Sequence, residues 1–211
     1  MEDLKLRKIK LNGKYGFEDS EGNIVVPCKY DNAMQFINEV SIVELNGKEG
    51  VVNKKGEEII PCECDCIYYM QGLLNVCKNG KWGYYDLNGK VLVPCIFDAI
   101  SWFINGLADV EIGGNIGVVD IRGRAYFQKE HIKTVRKYYK RITEAKTIIQ
   151  KMIAYAKTEE GVLNALFEGK KHTNLLRTQM EMEIRGQAPE EQNGGKLEEC
   201  KKRAEESIKL F

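Results

Sequence analysis

Short apolar runs, broken at regular places by glycine, fill the first 127 residues of the chain. One run, Val40–Leu45, is followed by an Asn-Gly dipeptide. This dipeptide favours a tight hairpin turn, because both central residues of a type I′ turn need positive φ. Two further short runs, Gly50–Asn53 and Glu58–Ile60, follow the turn. The pattern predicts a three-stranded antiparallel meander that ends at Pro61, since proline has no N–H to donate to a strand pair.

The same pattern recurs with a period of about 34 residues, and four segments open with the glycines Gly13, Gly47, Gly80 and Gly114. Further residue types share columns in the first three segments: Pro27, Pro61 and Pro94; Cys28, Cys62 and Cys95; Asp31, Asp65 and Asp98. A fixed period of this length is typical of repeat architectures. We therefore predict four meanders, at roughly 5–27, 40–61, 73–94 and 107–127, joined by linkers.

The third segment resembles the WG repeat, also called the KWG repeat. The resemblance is carried by GKWG at Gly80–Gly83, YYDLNG at Tyr84–Gly89 and VPCIFD at Val93–Asp98. It extends over about residues 5–127, although tryptophan itself occurs only at Trp82, and cysteine replaces the second proline of each linker. The resemblance implies a β-rich repeat array that serves as an interaction surface, with no catalytic residues.

Beyond Lys129 the apolar residues recur at steps of three and four, which is typical of amphipathic helices. The first stripe comprises Val135, Tyr139, Ile142, Ala145, Ile149, Met152 and Ala156. A second apolar cluster spans 162–184 and contains Gly169, a residue that disfavours one continuous helix. A third stripe begins at Leu197. We predict a mainly β repeat array at 1–127, then a helical region at 128–211 with about three helices and a loop at 187–195.

The charge of the chain is divided unevenly between these two parts. The whole chain has a net charge of +1, but residues 1–127 carry 14 Lys/Arg against 18 Asp/Glu, and the remainder carries 18 against 13.

No stretch of 18 apolar residues occurs, so we expect no membrane-spanning helix. The seven cysteines come without an export signal, and we therefore expect reduced thiols and a cytoplasmic location.

Metal binding and catalysis find little support in the sequence. Cys62, Cys64 and Cys66 alternate, whereas structural zinc sites use C-x(2–4)-C pairs, so buried reduced thiols are the preferred interpretation. One aspartate per repeat provides too few ligands for calcium, and capping of backbone N–H groups before a short helical turn explains that column better. No nucleophile, zinc or phosphate-loop motif occurs. We expect a non-enzymatic protein without cofactors.

Two surfaces are candidates for binding. The inter-repeat linkers vary most and carry exposed aromatic candidates, although the same aromatics could instead pack between units. The helix at 129–146 carries a basic patch that suits phosphate backbones, an acidic protein or simply solvent. The predicted partner-binding residues are Tyr68, Tyr69, Ser101, Trp102, Arg136, Lys137, Lys140 and Arg141. We expect a protein-interaction module or adaptor; the alternative is a nucleic-acid- or nucleoprotein-binding regulator that acts through the basic helix.

Overall fold

The structure is a computed structural model that describes residues 5–156 and 158–186. The chain divides into two compact units. The first holds the strands up to Trp102 together with Ala108–Ala125, and the second holds Phe103–Leu107 together with the two helices. No helix in the described ranges is long and apolar enough to cross a membrane.

Four antiparallel sheets make up the β-rich part, and in each sheet the neighbouring strands follow one another along the chain. Sheet 1 contains β1 (Arg7–Leu11), β2 (Lys14–Glu18) and β3 (Ile24–Tyr30). Sheet 2 contains β4 (Asn32–Ala33), β5 (Val40–Leu45), β6 (Lys48–Asn53) and β7 (Glu58–Cys64). Sheet 3 contains β8 (Cys66–Met70), β9 (Leu73–Lys78), β10 (Lys81–Tyr85) and β11 (Val91–Phe97). Sheet 4 contains β12 (Ala99–Ile100), β13 (Leu107–Ile112), β14 (Asn115–Asp120) and β15 (Ala125–Tyr126). The predicted fold class, a β-repeat array followed by helices, is confirmed.

Sheets 2, 3 and 4 each gain a fourth strand from a segment that the sequence pattern assigned to a linker. In sheet 3 this strand is β8, which pairs with β9 over its whole length, from Cys66 opposite Cys77 to Met70 opposite Leu73. The outer edge of a first strand carries N–H and C=O groups that need partners, and the linker supplies them. Ile67 of β8 is also buried in the core, which ties the linker to the sheet.

The last strand of sheets 1 to 3 continues through its proline, so the predicted end of the strand at Pro61 is wrong. Strand β7 runs on to Cys64, and its pairing with β6 shifts register between Val51–Ile60 and Glu49–Cys64. A register shift of this kind is a bulge, where proline is tolerated because its missing N–H is not needed for the strand pair.

Apolar clusters between consecutive sheets form the core. Phe17, Val26 and Tyr30 of sheet 1 pack against Val43 and Val52 of sheet 2. A second cluster joins the other face of sheet 2 to sheet 3, and its members are Val40, Ile42, Val51, Ile60, Cys64, Ile67, Leu74 and Val76. Sheet 2 thus uses one face toward the preceding sheet and the other face toward the following one.

The helical part consists of α1 (Lys129–Tyr155) and α2 (Glu159–Ile184), which run antiparallel and contact each other. Helix α2 begins after Thr158, which caps it by accepting the Gly161 N–H at 3.1 Å. Gly169 does not interrupt α2. It lies where Ile149 of α1 packs so closely that a Cβ atom would overlap it. The predicted loop at 187–195 and the third stripe lie outside the described residues.

Candidate binding surface on the third sheet

The strand pairing of sheet 3 places one aromatic residue of β8 near another of β10. Cys66, Cys77 and Trp82 face one another across β8, β9 and β10. Side chains alternate between the faces of a strand, so Tyr68, two residues after Cys66, emerges on the face that carries Trp82. The pairing of β8, which the sequence pattern assigned to a linker, with β9 therefore brings Tyr68 and Trp82 onto one face of sheet 3.

The rings of Tyr68 and Trp82 stack, with centroids 6.0 Å apart and planes inclined by 14°. Tyr68 is 55% exposed, and Trp82 is half-buried. Offset stacking of this type contributes about 0.5–1.5 kcal/mol beyond the burial of area. We call this pair the aromatic platform. It forms a flat apolar surface at which one ring remains largely open to solvent.

Glu49 of sheet 2 contacts the backbone of β8 next to Tyr68, and a second carboxylate, Glu44, lies opposite Glu49 in sheet 2. A Glu49 oxygen accepts the backbone N–H of Ile67, the residue before Tyr68, at 2.5 Å. Glu44 faces Glu49 directly across β5 and β6. Burial raises the pKa of Glu49, and the charge of Glu44 raises it further. Like charges directly opposite each other are unfavourable in a sheet, so a cation at this flank would be stabilised.

Each aspartate of the repeat column holds the hairpin turn of the following sheet. Asp65 accepts the backbone N–H of Gly80 at 2.8 Å and pairs with Lys48 at 2.6 Å. The hydrogen bond to the lysine, followed by that to the backbone, lowers the pKa of Asp65. Capping of a backbone N–H was predicted for this column, but the N–H belongs to a turn 15 residues onward rather than to a short helical turn. Asp31 and Asp98 repeat the arrangement.

The six described cysteines are free thiols. Cys64 and Cys77 are buried, and burial raises the pKa of each to about 11. The thiol of Cys95 lies 3.4 Å from the backbone carbonyl of Val76, to which it donates. No group of three or more His, Cys, Asp or Glu side chains within 5–156 and 158–186 is arranged to hold a metal ion.

The other predicted linker residues do not join the platform. Tyr69 is half-buried against the core between sheets 2 and 3, and its hydroxyl oxygen accepts from the Asn38 amide at 2.5 Å. Ser101 accepts the Asp109 N–H at 2.7 Å through its hydroxyl, so it stabilises the loop between β12 and β13 of sheet 4. Trp102 is exposed in the same loop.

The basic residues of α1 fall into two groups. Lys137 donates to Glu183 of α2 at 2.9 Å, and Arg141 lies 5.3 Å from the centre of the Tyr138 ring. Both side chains therefore contribute to contacts inside the helical unit. Arg136 and Lys140 are exposed, four residues apart on one face of the helix.

The binding residues predicted from the sequence do not include Trp82, Glu44 or Glu49. The useful signal was present in the alternation of β8, where Cys66 and Tyr68 share a face. Reading it requires knowing that the linker pairs with β9, because only this pairing brings Tyr68 to Trp82.

Comparison with known proteins identifies the repeat. A family described as WG containing repeat matches three consecutive segments, at residues 15–48, 50–82 and 82–115, and no family matches the helical region. No curated protein matches the chain.

Solved structures of Hsv2 from Kluyveromyces lactis are similar over part of the chain. One is 9% identical, covering 58% of this chain and 46% of that one with a TM-score of 0.33. Another, with a complete loop 6CD, is 10% identical, covering 59% and 46% with a TM-score of 0.34. The chain spans under half the length of these structures.

Proposed function

Because the chain belongs to the WG-repeat family through the three repeats at residues 15–115, we propose that it is a non-catalytic protein-interaction module. In this proposal the array binds a partner protein through the aromatic platform. Adaptor activity follows if the helical region engages a second partner. The free thiols suit a reducing compartment, and we propose a cytoplasmic location on that ground.

The observation that carries the proposal is the exposure of Tyr68 beside Trp82. The cores between the sheets are filled by aliphatic and other aromatic side chains, so folding does not account for a stacked pair at the surface. Tyrosine and tryptophan dominate the energetics of protein interfaces, because they bury large areas at a small cost in conformational entropy.

The flanking carboxylates indicate the kind of partner. Glu44 and Glu49 have no ion-pair partner among the residues that the structure describes. A lysine or arginine side chain from a partner would compensate their charge and could also lie over the platform rings. We therefore propose that the bound segment of the partner is basic.

A pulldown from the native host, followed by affinity measurement on variants, tests the proposal. Tyr68→Ala should weaken the complex by about tenfold or more while leaving the melting temperature nearly unchanged. Tyr155→Ala is the matched control, since Tyr155 is an exposed tyrosine on α1, in the other unit. Equal affinities for the wild type and Tyr68→Ala would remove the platform from the proposal.

Nucleic-acid binding through residues 129–146 is a second candidate, favoured by the exposed pair Arg136 and Lys140. Backbone binding would weaken steeply with salt, and replacing either residue with alanine should reduce the salt slope. Absence of binding to single- and double-stranded DNA and RNA at low salt would exclude this candidate.

A further inference from the structure

Two cysteines of sheet 3 face each other across neighbouring strands. Strands β8 and β9 are joined by a two-residue turn of Gln71 and Gly72, whose φ angles are +50° and +79°. A tight turn of this kind fixes the register of a hairpin. In that register Cys66 of β8 lies opposite Cys77 of β9. The Asp65 N–H donates to the Cys77 carbonyl at 2.8 Å, which holds the end of the hairpin that is distant from the turn.

The two thiols contact each other. Facing residues of paired strands project their side chains on the same side of the sheet. Burial raises the pKa of Cys77, and the charge of Cys66 and a hydrogen bond with its thiol raise it further. Cys77 is buried, whereas Cys66 is half-buried, so a small reagent reaches Cys66 first. The Asp65 carboxylate accepts from the Cys77 thiol at 3.8 Å, which helps to keep this thiol protonated.

The spacing of the two residues suits a disulfide bond. Hydrogen-bonded pairs alternate along the hairpin from Met70 and Leu73 at the turn, so Cys66 and Cys77 are such a pair, with Cα atoms about 5.5 Å apart. Disulfides bridge Cα separations of about 4.4–6.8 Å. Their Cβ atoms are closer together than those of facing residues in a sheet, so closing the bond requires the strands to approach by about 1 Å.

Strand β8 can make this movement because it lies at the edge of sheet 3 and pairs only with β9. No second strand pair has to break when β8 shifts. A disulfide closed with strain is readily reduced, so this bond would be reversible. In the strand pairs of residues 7–97, Cys64 faces Glu49, and only Cys66 and Cys77 face each other as cysteines.

The thiol pair adjoins the aromatic platform. Trp82 of β10 faces Cys77 directly. The charge of Cys66 is the first cause that raises the pKa of Tyr68, and the Cys66 thiol also hydrogen-bonds with the Tyr68 hydroxyl. A bond from Cys66 to Cys77 would turn the Cys66 sulfur toward β9 and remove this hydrogen bond. The redox state of the pair therefore changes the surroundings of both platform rings.

We propose that Cys66 and Cys77 are a redox-sensitive pair that a peroxide converts into a cross-strand disulfide. The Cys66 thiolate attacks hydrogen peroxide, the O–O bond breaks, and a sulfenic acid and water form. The Cys77 sulfur then attacks the Cys66 sulfur. As the S–S bond forms and the S–O bond breaks, the hydroxyl leaves as water with the proton of the Cys77 thiol. Two thiols and one peroxide thus give one disulfide and two waters, and a dithiol reductant restores the thiols. Transient disulfides of this kind occur in reducing compartments.

Oxidation of the full chain with equimolar hydrogen peroxide, followed by blocking of the remaining thiols with N-ethylmaleimide, tests the proposal. Trypsin and chymotrypsin together separate the two cysteines, because Tyr68, Tyr69 and Leu74 lie between them. Mass spectrometry should show the resulting peptides joined through Cys66 and Cys77, and dithiothreitol should separate them.

Tryptophan fluorescence gives a second measurement on the same chain. The sequence contains two tryptophans, so Trp102→Phe leaves Trp82 as the source of the signal. A disulfide quenches a neighbouring indole, and Trp82 faces Cys77. Oxidation should therefore lower the emission of Trp82, and dithiothreitol should restore it.

Serine variants provide the controls. Cys66→Ser and Cys77→Ser should each lower the yield of joined peptides by about tenfold or more, because the remaining thiol has lost its facing partner. Cys28→Ser, which replaces another half-buried thiol in sheet 1, should form the bond like the wild type.

The wild type alone decides the result, so a serine variant that fails to fold leaves the test intact. Recovery of both cysteines of the oxidised chain as maleimide adducts would overturn the proposal. A bond between Cys64 and Cys95, the two cysteines of the core between sheets 2 and 3, in place of the proposed bond would also overturn it. These measurements involve no binding partner, so their failure leaves the proposed function untouched.

Discussion

The carboxylate of Asp65 accepts the backbone N–H of Gly80 at 2.8 Å, which joins the end of sheet 2 to the hairpin turn of sheet 3. Lys48, from the hairpin of sheet 2, pairs with the same carboxylate. One aspartate therefore sets the position of two consecutive hairpins. The link recurs at Asp31 and Asp98, which explains why this column of the repeat carries an acid rather than any other polar residue.

Because the repeat aspartates hold the hairpin turns as carboxylates, the stability of the array should decrease at acid pH. The pKa of Asp65 is below its ordinary value of 3.8 in the folded chain, mainly through Lys48. A depressed pKa contributes stability that is present above the unfolded value and is lost as the pH falls through the folded value. Asp65→Asn should therefore lower the melting temperature at pH 7, and this difference from the wild type should shrink as the pH falls below 3.8. Thermal melts of both proteins across this range provide the check; a constant difference would contradict the link.

Because the sheets stack, an alanine substitution should lower the free energy of unfolding more at Gly89 than at Gly22. Gly22→Ala incurs only the strain of positive φ, about 1–2 kcal/mol. Gly89→Ala incurs a similar strain, since its φ is +80°, and its Cβ would also overlap the Ile59 carbonyl. Overpacking of this kind costs about 1–3 kcal/mol more. Urea unfolding of the two variants measures the difference, and equal free energies of unfolding would argue against close stacking at Gly89.

Buried thiols should react slowly. The pKa values of Cys64 and Cys77 are about 11, whereas a thiol normally ionises near 9.0. Only the thiolate attacks an alkylating reagent, so both residues should be modified by iodoacetamide at pH 8 more than about tenfold slower in the folded than in the unfolded chain. Peptide mapping by mass spectrometry after timed quenching gives the rate at each cysteine. Rapid native labelling of Cys64 would contradict its burial.

The effect of Gly169→Ala on the stability of the helix pair should change sign when Ile149 is replaced with alanine. Replacing a glycine inside a helix with alanine normally stabilises by about 1 kcal/mol. Gly169→Ala should instead destabilise, because the new methyl group would overlap Ile149. In an Ile149→Ala background the space is open, and Gly169→Ala should then stabilise the helical unit. Chemical denaturation of the four proteins of this cycle measures the coupling, and the same sign in both backgrounds would contradict the contact.

The candidate site was predictable only in part. Tyr68 was identified from the sequence because aromatic residues in a variable linker favour a binding surface, and it is exposed. Tyr69 was selected by the same reasoning, but its side chain points to the opposite face and packs against the core. Adjacent residues of a strand face opposite ways, and without the strand β8 there was no means of assigning either face.

The repeat period, the positions of the hairpin turns and the change from β to helical structure near Lys129 were determined by the sequence itself. Each depends on residues close together in the chain: glycine at positive φ, proline without a donor, and apolar spacing of two or of three to four. The tertiary structure alone decided which atoms meet across sheets and helices. In the tertiary structure the linkers pair as strands, and Asp65 accepts a hydrogen bond from Gly80. Tyr68 stacks on Trp82, and Gly169 packs against Ile149. The last three of these contacts join residues 14 to 20 positions apart, and all of them depend on strand pairing and packing that no local pattern encodes.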